Sequence, residues 1–246
     1  TASYFDGCDL SAHGVPANAR ERELLKPFPG VVRPDIMDGH WAPPVTDGSG
    51  RDRAGLRRAL ALFAQAGYAL KSTKLVHTAS GRLFSFEILT TTRDQERVAL
   101  AFGRNLMRAG IDARVRSVDA TQFERRSVAF DFDMMQYRWE QSLSPGNEQL
   151  FYWSTAAADQ QGSRNYMGVK SKAVDAMIAA MLAAESRADF VSATRALDRV
   201  LLSGFYVVPL YFPPKQWIAR WTRIKHPAKT SLFGYLPETW WHGDAK

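Results

Sequence analysis

The sequence predicts an α/β fold, and three stretches carry that prediction. "KLVHTASGRLFSFEILT", Lys74 to Thr90, alternates around a Ser80-Gly81 turn and reads as a hairpin. From Asp94 to Ala109 the residues Val98, Phe102 and Leu106 fall on one helical face, closed by Gly110. "IDARVRSV" then alternates Ile111, Ala113 and Val115 as a half-buried strand. Strand, helix and strand with tight connections make a crossover unit, which is right-handed almost without exception.

The other elements follow from the same signals. Residues 1 to 50 are rich in Pro, Gly and Asp, and "KPFPGVVRPD" and "HWAPPVTDGSG" read as an irregular segment that needs a surface to lie on. Arg53 to Ala66 sets Leu56, Leu60, Phe63 and Ala66 at helical spacing, with Gly67 as the stop. Asp119 with Gln122 three residues on resembles a capping box opening a short helix to Val128, and "FDMMQYRW" is the next strand. Ser171 caps a helix over Lys172 to Ala184 that turns Val174, Met177, Ile178 and Met181 inward. A second helix, Asp189 to Leu202, carries Phe190, Ala193, Leu197 and Leu201 and is ended by Gly204. "FYVVPLYF" and "KQWIARW" read as two closing strands, with Pro209 marking an edge or bulge because it gives no ladder donor.

Composition narrows the function classes. The chain has 246 residues, 46% of them hydrophobic, enough for a substantial core, yet no run of eighteen apolar residues that would span a bilayer. The net charge is +7, but the cations are scattered apart from short pairs such as Arg57-Arg58 and Arg125-Arg126. Nucleic-acid binding needs several cations converging on one face, so that role is not favoured. The single cysteine, Cys8, makes no intrachain disulfide and reads as an incidental thiol. The opening "TASYFDG" has no basic or apolar leader, so either export is not used or the natural N-terminus lies elsewhere.

Chemistry-bearing motifs are sparse. His13, His40, His77, His226 and His242 form no HxxxH pair, so no metal site or cofactor is predicted. There is no GxSxG elbow, and "TDGSGRDR" lacks the preceding strand and GK[ST] ending of a P-loop, which leaves a helix-entry turn. Asp131 and Asp133 share a strand face, most often the solvated one, while Glu140 and Glu148 border a loop without a fixed separation. No catalytic constellation is predicted. A set of aromatic and hydrogen-bonding side chains does gather at and after one strand end: Tyr137, Arg138, Trp139, Gln141, Ser142 and Asn147, then Arg164, Asn165 and Tyr166. Ligand sites in α/β folds lie at strand carboxyl ends and combine aromatic walls with a few polar groups. The competing reading makes Tyr137 and Trp139 core anchors and "SLSPGNE" a turn into a helix.

"FDFDMMQYRWEQSLSPGNEQ", with "WSTAAADQQGSRNYMGVKSKAVDAMI", "ATRALDRVLLSGFYVVPLYF" and the opening "SYFDGCDLSAHGVP", resembles the C-terminal part of the family 5 extracellular solute-binding proteins. These are the oligopeptide- and dipeptide-type receptors of ABC importers. The resemblance implies a periplasmic-binding-protein-like type II lobe, a mixed sheet with flanking helices, plus C-terminal strands of the other lobe. It divides the chain into a connecting segment, 1–50, an α/β lobe that closes over ligand, 51–204, and strands returning to the first lobe, 205–246. It further implies that the N-terminal lobe and signal peptide of a periplasmic receptor lie outside this chain. The implied partners are a peptide or peptide-like ligand, the missing lobe and an inner-membrane ABC permease, with no nucleic acid and no enzymatic activity.

By the same resemblance, Tyr137, Arg138, Trp139, Gln141, Ser142 and Leu143 line the cleft, with Arg164, Asn165 and Tyr166 on a second lining stretch. Oligopeptide receptors usually hold the ligand ammonium with an Asp three residues beyond this Trp, and here that position is Ser142. A hydroxyl cannot supply that ion pair. Either Glu140 or Glu148 substitutes, or the ligand is a modified or longer peptide of the microcin C or murein type. An oligosaccharide-binding member of the family is the alternative.

Overall fold

A computed structural model describes residues 2–46, 48–139, 142, 144–211, 217–231 and 234–243. Two compact units divide the chain, Ala2–Val207 and a smaller one from Val208 onward.

The larger unit opens with two short helices where the sequence suggested only irregular chain, α1 (Ala19–Leu25) and α2 (Pro34–Met37). Asn18 and Glu21 close a reciprocal capping box on α1, and Pro34 starts α2 with its fixed φ. With 7 and 4 residues, neither is long enough to show a helical period in the sequence. α3 (Arg53–Gln65), capped by Asp52, matches expectation. β1 (Tyr68–Lys71), which the sequence reading did not resolve, pairs antiparallel with β2 (Lys74–His77) through a tight turn with Ser72 at φ 56°.

The chain then turns at Ser80-Gly81 as expected, with Gly81 donating to the His77 carbonyl, and bridges Val76 to Leu83 before entering β3 (Ser85–Thr90). α4 (Arg93–Arg108), boxed by Thr92 and Gln95, leads to β4 (Asp112–Ser117), which runs parallel to β3 over its whole length. Gly110 between them has φ +82°, and a Cβ there would stand 2.6 Å from the Leu75 amide, which donates to the Gly110 carbonyl at 2.7 Å. Only glycine permits that approach, and it joins the β1–β2 hairpin to the crossover. α5 (Ala120–Val128), capped by Asp119, then returns the chain to β5 (Met134–Met135) on the other side of β3.

The sheet order β4-β3-β5 reverses direction at β3, a topological switch point whose crevice lies beyond the strand carboxyl ends. The strand expected over "FDMMQYRW" shrinks to two residues. Leu89 pairs with Met135 and β3 stops one residue later, so Tyr137–Trp139 run past its end.

α6 (Glu148–Trp153), α7 (Lys172–Leu182) and α8 (Arg187–Gly204) make the main core with the N-terminal segment. Val174, Met177, Ile178 and Met181 are buried as expected, as are Ala193, Leu197 and Leu201, whereas Phe190 is half-buried. α8 begins earlier than expected, at a Ser186 cap, and the left-handed residue ending it is Phe205 at φ 49° rather than Gly204.

The N-terminal segment is tied to α8 by two adjacent charged residues. Asp198 accepts from Ser3 Oγ (2.7 Å), the Tyr4 amide (3.0 Å) and the Ala12 amide (2.9 Å). Arg199 pairs with Glu21 at 2.6 Å, both fully buried, and donates to the carbonyls of Ile36 (2.5 Å) and Val15 (2.7 Å).

Burial pushes the Asp198 carboxyl up to about 6 from 3.8, against the opposing pull of its three hydrogen bonds. The folded chain therefore takes up a proton that the unfolded chain binds only near 3.8. Stability from this group is fully present below the unfolded value and is lost as pH rises through the folded one, a span of roughly 3 kcal/mol. Denaturant unfolding at acidic and neutral pH should show the wild type gaining on the Asp198→Asn variant as pH falls from 7 towards 4. A parallel pair of curves would refute this.

In the smaller unit, β6 (Ile224–Lys225) and β7 (Trp241–His242) form an antiparallel pair. The strands expected over "FYVVPLYF" and "KQWIARW" are absent among the described residues. Their apolar alternation has no ladder partner there, and Val208, Leu210, Tyr211, Trp217 and Trp221 are exposed.

Candidate ligand-binding wall beyond strand β5

At the carboxyl end of β5 the backbone leaves the sheet, and its side chains meet those of the Arg164–Tyr166 loop. Tyr137 lies edge-on to Trp139 at 4.8 Å and to Tyr166 at 4.9 Å, so the sequence-predicted aromatics do converge. Tyr166 also meets Phe130 and Phe132 at 6.3 and 6.1 Å. On its inner side Trp139 stacks on Trp153 at 5.7 Å and 16°, and Trp153 receives Tyr4 edge-on at 5.0 Å. Trp139 is therefore also a core anchor, half in the main cluster.

Arg164 bonds the Tyr152 hydroxyl at 3.4 Å, with its guanidinium 6.0 Å from that ring centroid. That bond and the facing Tyr137 hold the guanidinium above its ordinary range. Desolvation first, then Tyr137, pushes the Tyr166 phenol up, so both groups keep their neutral-pH charge states across the ordinary range. The result is a row of rings bearing one fixed cation.

Other expected site residues are placed differently. Asn165 is fully buried. Its amide donates to the carbonyls of Ser154 and Val169 (both 2.9 Å) and accepts from the Val169 amide (2.8 Å). Its side chain thereby fixes the loop that presents Arg164 and Tyr166. Arg138 is exposed, and Ser142, also exposed, accepts from the Ser144 amide at 3.2 Å within its own turn. Gln141 and Leu143, like Glu140, lie outside the described residues. Glu148 folds back on its helix entry, accepting from the Gly146 amide at 2.8 Å. Asn147 starts α6 without a side-chain cap bond.

Sequence reasoning missed Phe130, Phe132, Tyr152 and Trp153. The first pair was legible only as "FDFD" and the second as the run "LFYW", neither with a period that assigns a face. Phe130 takes a left-handed conformation at φ 55° to close α5, a strained choice for a side chain with a Cβ.

Phe130 and Phe132 border an open depression with Glu87, Arg126, Asp131 and Asp133. Its carboxylates are engaged: Arg126 pairs with Glu87 at 2.9 Å and with Asp131 at 3.0 Å, and Asp133 accepts from the Glu87 amide at 2.8 Å. Among the described residues no group of three or more His, Cys, Asp or Glu side chains is placed to hold a metal ion.

A parallel sheet with a switch point, and rings and one cation at its carboxyl edge, has the build of a lobe that binds small solutes. The chain belongs to the bacterial extracellular solute-binding proteins of family 5, whose middle-region model matches residues 30–161. It is 54% identical to a putative binding protein of Brucella abortus and 43% identical to the peptidoglycan-binding protein YepA of Agrobacterium fabrum. Each alignment takes in 98% of this chain and 39% of the relative, so the chain spans about two fifths of the length of the relatives it matches. The oligopeptide-binding protein AppA of Bacillus subtilis, solved with a nonapeptide, superposes with a TM-score of 0.61 at 15% identity, over 96% of this chain and 47% of AppA. That likeness establishes the shared fold.

Proposed function

We propose that this chain supplies one wall of a periplasmic receptor that captures a peptide or peptide-like solute, of the murein-fragment class, and hands it to an ABC importer by lobe closure. The row Tyr137, Trp139 and Tyr166 with Arg164 beside it carries this reading. Rings accept extended ligand through their faces, and a fixed guanidinium pairs with a ligand carboxylate. The relative named for peptidoglycan binding supports the ligand class. Ser142 is engaged in its own turn, which supports a ligand not held there by a free ammonium. Closure follows if ligand contacts from both walls favour the closed state by differential affinity.

Calorimetric titration of the protein together with its complementary lobe tests the reading. The titrants are a diaminopimelate-containing stem peptide, the same peptide on its amino sugar, and the peptide-free glycan. Binding of the peptide-bearing fragments, weakened at least tenfold by Trp139→Ala, is expected, with weak binding by residues 1–246 alone. Binding of the glycan alone would move the ligand to the oligosaccharide branch, since rings also stack on sugar faces. Silence with all three would defeat the proposal.

A further inference from the structure

Arg93, Arg97, Arg104 and Arg108 are all exposed on α4. At 3.6 residues per turn they fall within an arc of about 60°, in a row about 22 Å long. The arc lies opposite the helix's inward face, which carries Ala99, Phe102 and Leu106. The other residues bordering the row on that side are Leu100, 45% exposed, and Met107, 69% exposed. Acids flank the row without entering it. Asp94 pairs with Arg97 at 3.2 Å in a solvent-exposed contact, and Glu96 lies on the opposite flank. Arg108 donates to the carbonyl of Gly50, which brings the backbone next to Arg51 against the end of the row.

We propose that this face of α4 docks on a bilayer surface bearing anionic phospholipid headgroups. Guanidinium forks match phosphate oxygens in two-point contacts, and a straight row of them suits a flat surface of repeated phosphates. The interleaved Leu100 and Met107 suit the boundary between headgroups and acyl chains, as on helices that lie in the interface plane. A folded acidic partner would call for a varied set of contacts, whereas α4 offers one cation repeated along a line. This docking is independent of what the aromatic wall holds.

Co-sedimentation of the purified protein with phosphatidylcholine vesicles, with and without phosphatidylglycerol, tests it. Pelleting is expected only with phosphatidylglycerol, and it should fall with added salt. Each arginine removed should lower affinity about fivefold, so Arg97→Gln with Arg104→Gln should lose roughly twenty-fivefold. Arg57→Gln with Arg58→Gln on α3 removes the same charge elsewhere and should change affinity far less. Equal loss in the two double variants would reduce the effect to net charge and overturn the proposal. So would retention on immobilised polyglutamate without any on the anionic vesicles.

Discussion

Replacing Arg199 with methionine is expected to destabilise the larger unit by about 3–5 kcal/mol, because it leaves the Glu21 carboxylate buried and unpaired. The arginine holds three separate points of the N-terminal segment, Val15, Glu21 and Ile36, and all three lose its guanidinium at once. Hydrogen exchange should show the first loss of protection at the Ala17 and Arg22 amides, which report docking and the first turn of α1. Replacing Glu21 with methionine as well removes the stranded charge and should recover part of the loss. If the double variant is no more stable than the single one, the carboxylate is not the source of the cost.

Truncating Trp153 to alanine should cost about 3–5 kcal/mol, from the lost burial and the cavity together, and should also loosen the wall. Trp153 is fully buried between Trp139 and Tyr4, so its removal takes away the surface against which Trp139 is stacked. Phenylalanine should be tolerated much better, since the Trp153 indole N–H has no acceptor among the described residues and its loss strands nothing. The readout is paired: unfolding midpoint for the core, and Trp139 emission for the wall. A Trp153→Ala variant with unchanged Trp139 emission would show that the wall stands without its support.

These two sites show where the sequence was readable. α3, α4, α5, α7 and α8 were legible within a few residues because each carries a polar cap and all but α5 were marked by apolar residues at helical spacing. The β1–β2 pair was half legible, since "YALK" is too short to separate from the end of a helix. The closing strands failed because alternation states which face is apolar without stating what it pairs with.

At the wall, the convergence of Tyr137, Trp139 and Tyr166 was legible from their position after one strand. The burial of Asn165 was not, because an amide that cages a loop and one that greets a ligand look alike in sequence. Asp198 and Arg199 did leave a signal: two charges inside "ALDRVLL", among apolar neighbours on a buried helix, must have partners. The arginine row on α4 is the converse case. Its members look scattered along the chain and align only once the helix is drawn.

The Asp198–Arg199 pair also sets an order of events during synthesis. Arg199 lies 178 residues beyond Glu21 in the chain. At translation rates of about 5–20 residues per second, the segment bearing Phe5, Leu10 and Leu25 waits on the order of 10–40 s before α8 emerges to receive it. Those side chains share their core in the finished unit with residues of α6, α7 and α8, all of which are made after them. The earliest-made part of this unit is thus the last to settle, which lengthens the time for which its apolar side chains stay exposed.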